Sequence, residues 1–357
     1  MRNISVQHNA TTIRIIFAKG LYLLLFLMLL LVLIIEGYTL ITVYAEANAP
    51  LPATFGNFER VRALLRTDEQ RESFSFAVAG DTAGTGTFEK IAEFIKEEPI
   101  SFLVLLGDCV RNGRTGFHQY LRAELAKELR MPWPTFYVVG NHDVIKNVKK
   151  DDVSISRFEE MYGPTNFSFD YQGCLFIVLR ILDNPHYSTQ ESLAFLESTL
   201  SAWRRDYKKA FVFMHIPPPV SQDIIARRFE NSDKFIALCD KFKIDYVIAA
   251  DYHGYARVQR GDTVYLVTGG GGEHLEKKMR GNFHHAVVIT VGPRIVSERI
   301  LFTKRAEDFE DILECFVIAD VYPWMRNNLW ATITLNLIIF GCGMFVLRRL
   351  LRRRQSS

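Results

Sequence analysis

Residues 73–84 read SFSFAVAGDTAG, and residues 101–113 read SFLVLLGDCVRNG. Each is an apolar run of strand length that ends in Gly-Asp, at Gly80-Asp81 and at Gly107-Asp108. A run this apolar reads as a strand buried on both faces, and a glycine and a carboxylate at its end mark where the chain turns and presents polar groups. Helical periodicity follows each run, over Phe88 to Glu97 and over Phe117 to Leu129. Buried strands separated by helices predict an α/β core.

Outward from these runs the pattern becomes mixed. Asn166 to Tyr171 and Cys174 to Leu182 read as two strands around Gln172-Gly173, a dipeptide suited to a hairpin turn. A helix is expected over Glu191 to Arg205. Strands follow at Ala210 to His215, Asp245 to Ala250, Thr263 to Thr268, Ala286 to Val291 and Ile295 to Phe302. A hairpin among parallel crossovers predicts a layered mixed sheet. No internal repeat interrupts it.

Five strand ends carry polar clusters: Asp81, Asp108, the tetrapeptide Gly140-Asn141-His142-Asp143, His215, and Asp251-Tyr252-His253. Taken singly, each has a bland reading as a turn, a helix cap or a hydrogen-bonded strand end. Together they offer oxygen and imidazole donors from five points of the chain, a set suited to Zn, Mn or Fe rather than Ca. Gly269 to Gly272 follows a strand, where glycine permits either close approach to a ligand or a plain turn. His284 and His285, opening a later strand, read as structural.

The order Gly-Asp, Gly-Asp-x-x-x-x-Gly (Gly107 to Gly113), Gly-Asn-His-Asp, an isolated histidine and a final x-x-x-His resembles the calcineurin-like metallophosphoesterases. Phe158 to Pro164, Ser168 to Tyr171 and Tyr265 to Gly269 resemble them too. The resemblance runs from about Phe74 to Phe302. It implies a two-sheet α/β sandwich with two divalent cations at the strand ends, Mn, Fe, Mg or Zn. By the resemblance, Asp108 bridges the two cations. Asp81 and His253 complete one site, and Asn141, His215 and Asp251 the other. His142 matches the histidine that is not a ligand but protonates the leaving oxygen or steadies the phosphoryl group, with Asp143 placed to orient it. Arg111 or Asn112 would steady the phosphate through polar or charge-assisted bonds.

Two positions depart from the family pattern. Ala83 stands where Asp-x-His would place an imidazole, and Asp251 stands where Gly-His-x-His would place another. The exchange of imidazole for carboxylate hardens the donor set toward Mn, Mg or Fe. Three readings follow: a dinuclear enzyme, a mononuclear enzyme using Asn141, His215 and Asp251, and a pseudoenzyme serving as a tethered scaffold. The leading expectation is a phosphatase or phosphodiesterase in which metal-bound hydroxide attacks phosphorus.

Two apolar stretches lie outside this core, residues 21–44 and 329–347, each long enough to cross about 30 Å of hydrocarbon. The first reads as a retained signal anchor, with a cleaved signal peptide as the alternative, since Ala45-Glu46-Ala47 is a small-residue site. Glu36 within it reads as a side chain snorkelling to the interface. Arg2, Arg14 and Lys19 precede the first stretch, and Arg348, Arg349, Arg352, Arg353 and Arg354 follow the second. Positive charge at both outer ends predicts two cytoplasmic tails, residues 1–20 and 348–357, and an exported domain between them. That domain is expected over 73–303, with a linker at 45–72 and a membrane-proximal segment at 304–328. The chain carries a formal +3. Residues 1–44 contribute +2 and residues 326–357 contribute +6, which leaves about −5 for the segment between them. An acidic domain lacks the cationic footprint of a nucleic-acid binder. Its expected partners are a phosphoester, with a membrane lipid or glycolipid head group as the candidate class, and the membrane itself. Five cysteines without CxxC spacing exclude zinc-knuckle and thioredoxin readings.

Overall fold

The computed structural model describes residues 2–47, 49–66, 69–145, 149, 152–182, 188–221, 229–275 and 281–351, the side chains of 2–16, 46, 47 and 350 excepted. The chain divides into two compact units, residues 49–313 and a helical unit formed by the two ends. Within 49–313 the elements run α2 (Glu59–Ala63), β1 (Phe74–Ala79), α3 (Thr87–Lys96), β2 (Leu103–Leu105), α4 (Thr115–Glu124), β3 (Thr135–Tyr137) and α5 (Ile155–Tyr162). They continue with β4 (Phe167–Tyr171), β5 (Cys174–Val178), α6 (Thr189–Trp203), β6 (Lys209–Phe213), α7 (Ser232–Phe242) and β7 (Tyr246–Ala249). The strands β8 (Tyr255–Arg260), β9 (Thr263–Thr268), β10 (His284–Val291) and β11 (Val296–Thr303) close the unit. Helix α1 (Arg2–Thr42) precedes these elements, and α8 (Phe309–Phe316), α9 (Tyr322–Asn327) and α10 (Leu329–Leu351) follow them.

Two sheets form, in the orders β11-β10-β1-β2-β3 and β4-β5-β6-β7-β9-β8. The runs β1-β2-β3 and β5-β6-β7-β9 are parallel, and β4, β8, β10 and β11 pair antiparallel with their neighbours. This is the α/β sandwich expected from the sequence.

Period-two alternation assigns the faces. In β5, Cys174, Phe176 and Val178 enter the core shared by the sheets, while Leu175 and Ile177 enter a second core beneath α6 and α7. The same split divides Phe211 and Phe213 from Ala210 and Val212 in β6. Both faces are therefore apolar, which is why these strands read as continuous hydrophobic runs. Aromatic rings fill the shared core: Phe176 stacks on Phe169 and Phe211 at 5.0 and 5.1 Å and meets Phe102 edge-on at 5.2 Å. The hairpin at Gln172-Gly173 forms as expected, with φ of 50° and 73°, the positive pair that a type I′ turn requires.

Residues 45–72 are more than the expected linker. Phe55 and Asn57 are fully buried, Phe55 bridges to Thr135, and the Asn57 amide bonds the Tyr137 and Pro164 carbonyls while accepting from the Tyr137 amide. These contacts cap the edge strand β3, whose backbone groups otherwise lack partners on that side. Edge strand β8 and helix α7 were not anticipated. The former reads YARVQR, half exposed and without an apolar run.

In the helical unit, α1 and α10 pack along each other. Two stretches are long and apolar enough to cross a membrane: Phe17–Ala45, of mean hydropathy 2.7, and Leu329–Arg349, of 1.9. Most of their large apolar side chains, among them Leu24, Ile41, Leu337 and Phe340, are exposed, while Val43, Ile339 and Val346 are buried.

Candidate metal centre

Parallel strands share a direction, so their carboxyl ends gather at one edge of the sandwich. From β1 comes Asp81, from β2 Asp108, from β3 Asn141, His142 and Asp143, from β6 His215, and from β7 Asp251 and His253. Asp81, Asp108 and His215 are buried and bring one donor atom each within 4.8 Å of one another. Four of the predicted ligands hold left-handed backbone: Asp81 at φ 55°, Asp108 at 50°, Asp251 at 60° and His253 at 45°. The conformation is costly for a residue with a Cβ, and its concentration here turns each side chain sharply off its strand into one cleft.

The two histidines are set up alike. His215 Nδ1 donates to the Leu106 carbonyl at 2.8 Å, leaving Nε2 to face Asp108 Oδ2 at 3.2 Å, Asn141 Oδ1 at 3.2 Å and Asp251 Oδ1 at 3.7 Å. His253 Nδ1 donates to the His274 carbonyl at 2.7 Å, and its Nε2 lies 3.7 Å from Asp81 Oδ1 and 3.5 Å from Glu273 Oε2. A ring whose Nδ1–H is held by a carbonyl presents Nε2 as a lone pair, the orientation typical of metal-ligating histidine.

Negative charge dominates the cleft. Neither oxygen of buried Asp81 accepts a hydrogen bond. Burial raises the Asp81 carboxyl well above the usual range, and Asp108, Glu273 and Asp251 add to this against the pull of His215. Asp108 resists the same desolvation because His215 holds it low. Burial lowers His215, yet Asp108 overrides it and carries the imidazole well above its ordinary value. Imidazole Nε2 atoms and carboxylates converging on one buried point, with Asp81 accepting no hydrogen bond, fit divalent cations. The donors Asp81, Asp108, His253 and Asn141, His215, Asp251 would hold them. A second group, Glu89, Glu124 and Asp311, also brings three carboxylates within 4.8 Å.

Asp143 does not orient His142 as expected. Its Oδ2 accepts from the amides of Asp108 and Gly140 at 3.0 and 2.7 Å, and its Oδ1 accepts from the Cys109 and Val110 amides and from the Tyr137 hydroxyl at 2.6 Å. Five donors on a fully buried carboxylate make it the clamp that shapes the Asp108 turn. His142 is exposed, its backbone amide donates to Asp108 Oδ1 at 2.8 Å, and its Nδ1 lies 3.2 Å from the Arg111 carbonyl. Beside it opens a cavity of about 510 Å³, lined by Ala83, Arg111, His142, Gly272 and Glu273 among others. The Arg111 guanidinium is anchored on its wall by the Ala83 carbonyl and the Thr85 hydroxyl, each at 3.2 Å. Asn112 is exposed and is not part of that lining. Buried Cys109, its thiol raised well above the ordinary value by desolvation, is no nucleophile.

A family model for the calcineurin-like phosphoesterases matches residues 74–255, the stretch from β1 to the first residue of β8. The chain belongs to the calcineurin-like phosphoesterase family. Among solved structures, this phosphoesterase is similar to purple acid phosphatase PPD1 from yellow lupin, Lupinus luteus, at 15% identity and a TM-score of 0.53, covering 70% of this chain and 56% of that one. It is also similar to a dimetal phosphatase from Danio rerio, at 12% identity and 0.51, covering 66% and 98%. No curated protein matches it. The family is metal-dependent, and its membership confirms the fold expected from the motifs.

Sequence reasoning missed Glu273 in this phosphoesterase. Its carboxyl is raised to about 7 by burial and by Asp108, and it faces the same cleft. The available signal was its position, directly after Gly269 to Gly272 at the end of β9.

Proposed function

We propose that the domain hydrolyses phosphoesters outside the cytoplasm, close to a membrane that holds the chain by Phe17–Ala45 and Leu329–Arg349. The observation that carries this reading is the convergence of two Nε2 atoms, each on a ring whose Nδ1–H is held by a carbonyl, with buried carboxylates, above all Asp81, neither oxygen of which accepts a hydrogen bond. Divalent cations bound there would polarise the phosphoryl oxygens and make water a nucleophile near neutral pH. The remaining roles belong to the chain. Asp108, which lies within reach of both Asp81 and His215, would be the ligand the two positions share. His142, with Nδ1 against the Arg111 carbonyl, lines the open cleft, where it is placed to donate a proton to the leaving oxygen. Arg111, pinned by two bonds, presents its remaining N–H groups to the phosphate. Asp143 acts through Asp108, by fixing the turn that carries it. Tethering at both ends favours a substrate borne on the membrane, such as a lipid or glycolipid head group.

The test uses the full chain in detergent, with metal content measured and hydrolysis of nitrophenyl phosphate and bis-nitrophenyl phosphate followed with added Mn²⁺. Asp108→Asn is expected to lower turnover by about a hundredfold or more and to reduce bound metal. A folded, metal-free and inert wild-type protein would favour the scaffold reading instead.

A further inference from the structure

We infer that Glu273 replaces the absent motif histidine, supplying a carboxylate ligand to the metal position that Asp81 and His253 define and Ala83 leaves one donor short. The inference rests on the metal-dependent reading above.

Glu273 Oε2 lies 3.5 Å from His253 Nε2, which is itself 3.7 Å from Asp81 Oδ1. The His253 proton is at Nδ1, committed to the His274 carbonyl. A carboxylate oxygen facing a bare Nε2 is lone pair against lone pair, an arrangement that only a cation or an added proton makes favourable. Two donors each about 2.1 Å from one cation sit about 3 to 3.5 Å apart, close to the spacing seen.

The backbone holds Glu273 there by close stitching of two loops that belong to different sheets. The Gly271 amide donates to the Gly80 carbonyl at 2.8 Å, and the Glu273 amide donates to the Asp81 carbonyl at 2.9 Å. A Cβ on Gly269 would run into the Asp81 carboxylate, and one on Gly84 would run into the Gly272 carbonyl. Glycine at these positions is what lets the β9 loop lie against the Asp81 loop. Ala83 and Glu273 then line one cavity, so the position given up by a methyl group is reached from the opposite loop. A mostly buried fourth carboxylate beside Asp81, Asp108 and Asp251 adds negative charge that His215 and His142 offset only in part, since the Glu273 carboxyl stays raised, and a bound cation would offset it further.

The experiment is Mn²⁺ titration of the metal-stripped full chain in detergent, followed by calorimetry and electron paramagnetic resonance, with melting temperature recorded with and without metal. Wild type should bind two Mn²⁺ per chain. Glu273→Gln, nearly isosteric, should keep one and weaken the other by roughly 10- to 100-fold. Its metal-free melting temperature should equal or exceed that of wild type, and the rise on adding Mn²⁺ should shrink. Two Mn²⁺ bound with unchanged affinity by Glu273→Gln, or a lower metal-free melting temperature with the Mn²⁺ rise intact, would assign Glu273 to packing and overturn the inference. Wild type that binds no Mn²⁺ would overturn the metal-dependent reading itself, and this inference with it.

Discussion

His118 shows how one buried side chain couples the site to the fold. It is fully buried, its Nε2 bonds the Asp143 carbonyl at 2.9 Å, and its Nδ1 meets the Tyr162 hydroxyl at 3.0 Å. Desolvation lowers its pKa from 6.5 to about 4, the Asp143 carbonyl opposing. The folded state therefore holds it neutral while the unfolded chain takes up a proton below about pH 6.5. Its contribution to stability is full above that pH and is lost as pH falls toward 4, amounting to about 2 kcal/mol by pH 5. Melting curves of wild type and His118→Gln between pH 7 and pH 5 should converge on acidification by this amount. Parallel curves would mean that His118 does not titrate differently in the folded state. His285, lowered to about 4 by the same cause, adds a similar slope to both proteins, and the raised carboxyls Asp81 and Glu273 act with opposite sign in both, so only the difference between curves isolates His118.

At the level of elements, the sandwich depends on rings that interlock from both sheets. Phe176 touches Phe74, Phe76 and Phe102 of the first sheet and Phe169, Phe211 and Phe213 of the second. Phe176→Ala should cost about 3–5 kcal/mol, and Phe176→Leu distinctly less, as measured by denaturant unfolding. Equal costs would show that the neighbouring rings collapse into the space. Such strands were legible because burial on both faces leaves an uninterrupted apolar run, as in Phe102 to Leu106. Strand β8 was not, since an edge strand buries little and YARVQR carries no pattern. The site divides the same way. Asp81, Asp108, Asn141, His215, Asp251 and His253 each follow a readable strand, so local pattern sufficed to gather them. Glu273 acquires its position from contact between loops of two different sheets, and the clamp role of Asp143 depends on five donors from residues 108–110, 137 and 140. The clamp leaves no local trace, and that of Glu273 is limited to its place directly after Gly269 to Gly272.

Across the whole molecule, charge and hydropathy divide by segment. An α-helix over residues 17–36 spans about 30 Å, the thickness of a hydrocarbon core, so a span that begins at Phe17 brings Glu36 to the far interface, where a carboxylate is tolerated. Leu329–Arg349 covers about the same distance and ends on Arg348 and Arg349. Cations therefore flank the outer ends of both spans, while the chain between them carries about −5. Because Lys and Arg near a span resist translocation, both ends should stay on the cytoplasmic side and the phosphoesterase unit should lie across the membrane. A fluorescent protein fused after Ser357 should remain fluorescent and protected from protease added outside intact cells. The phosphoesterase unit of the same molecule should be cleaved. The reverse pattern would place the metal centre in the cytoplasm, and the substrate would then have to be sought among phosphoesters of the inner face.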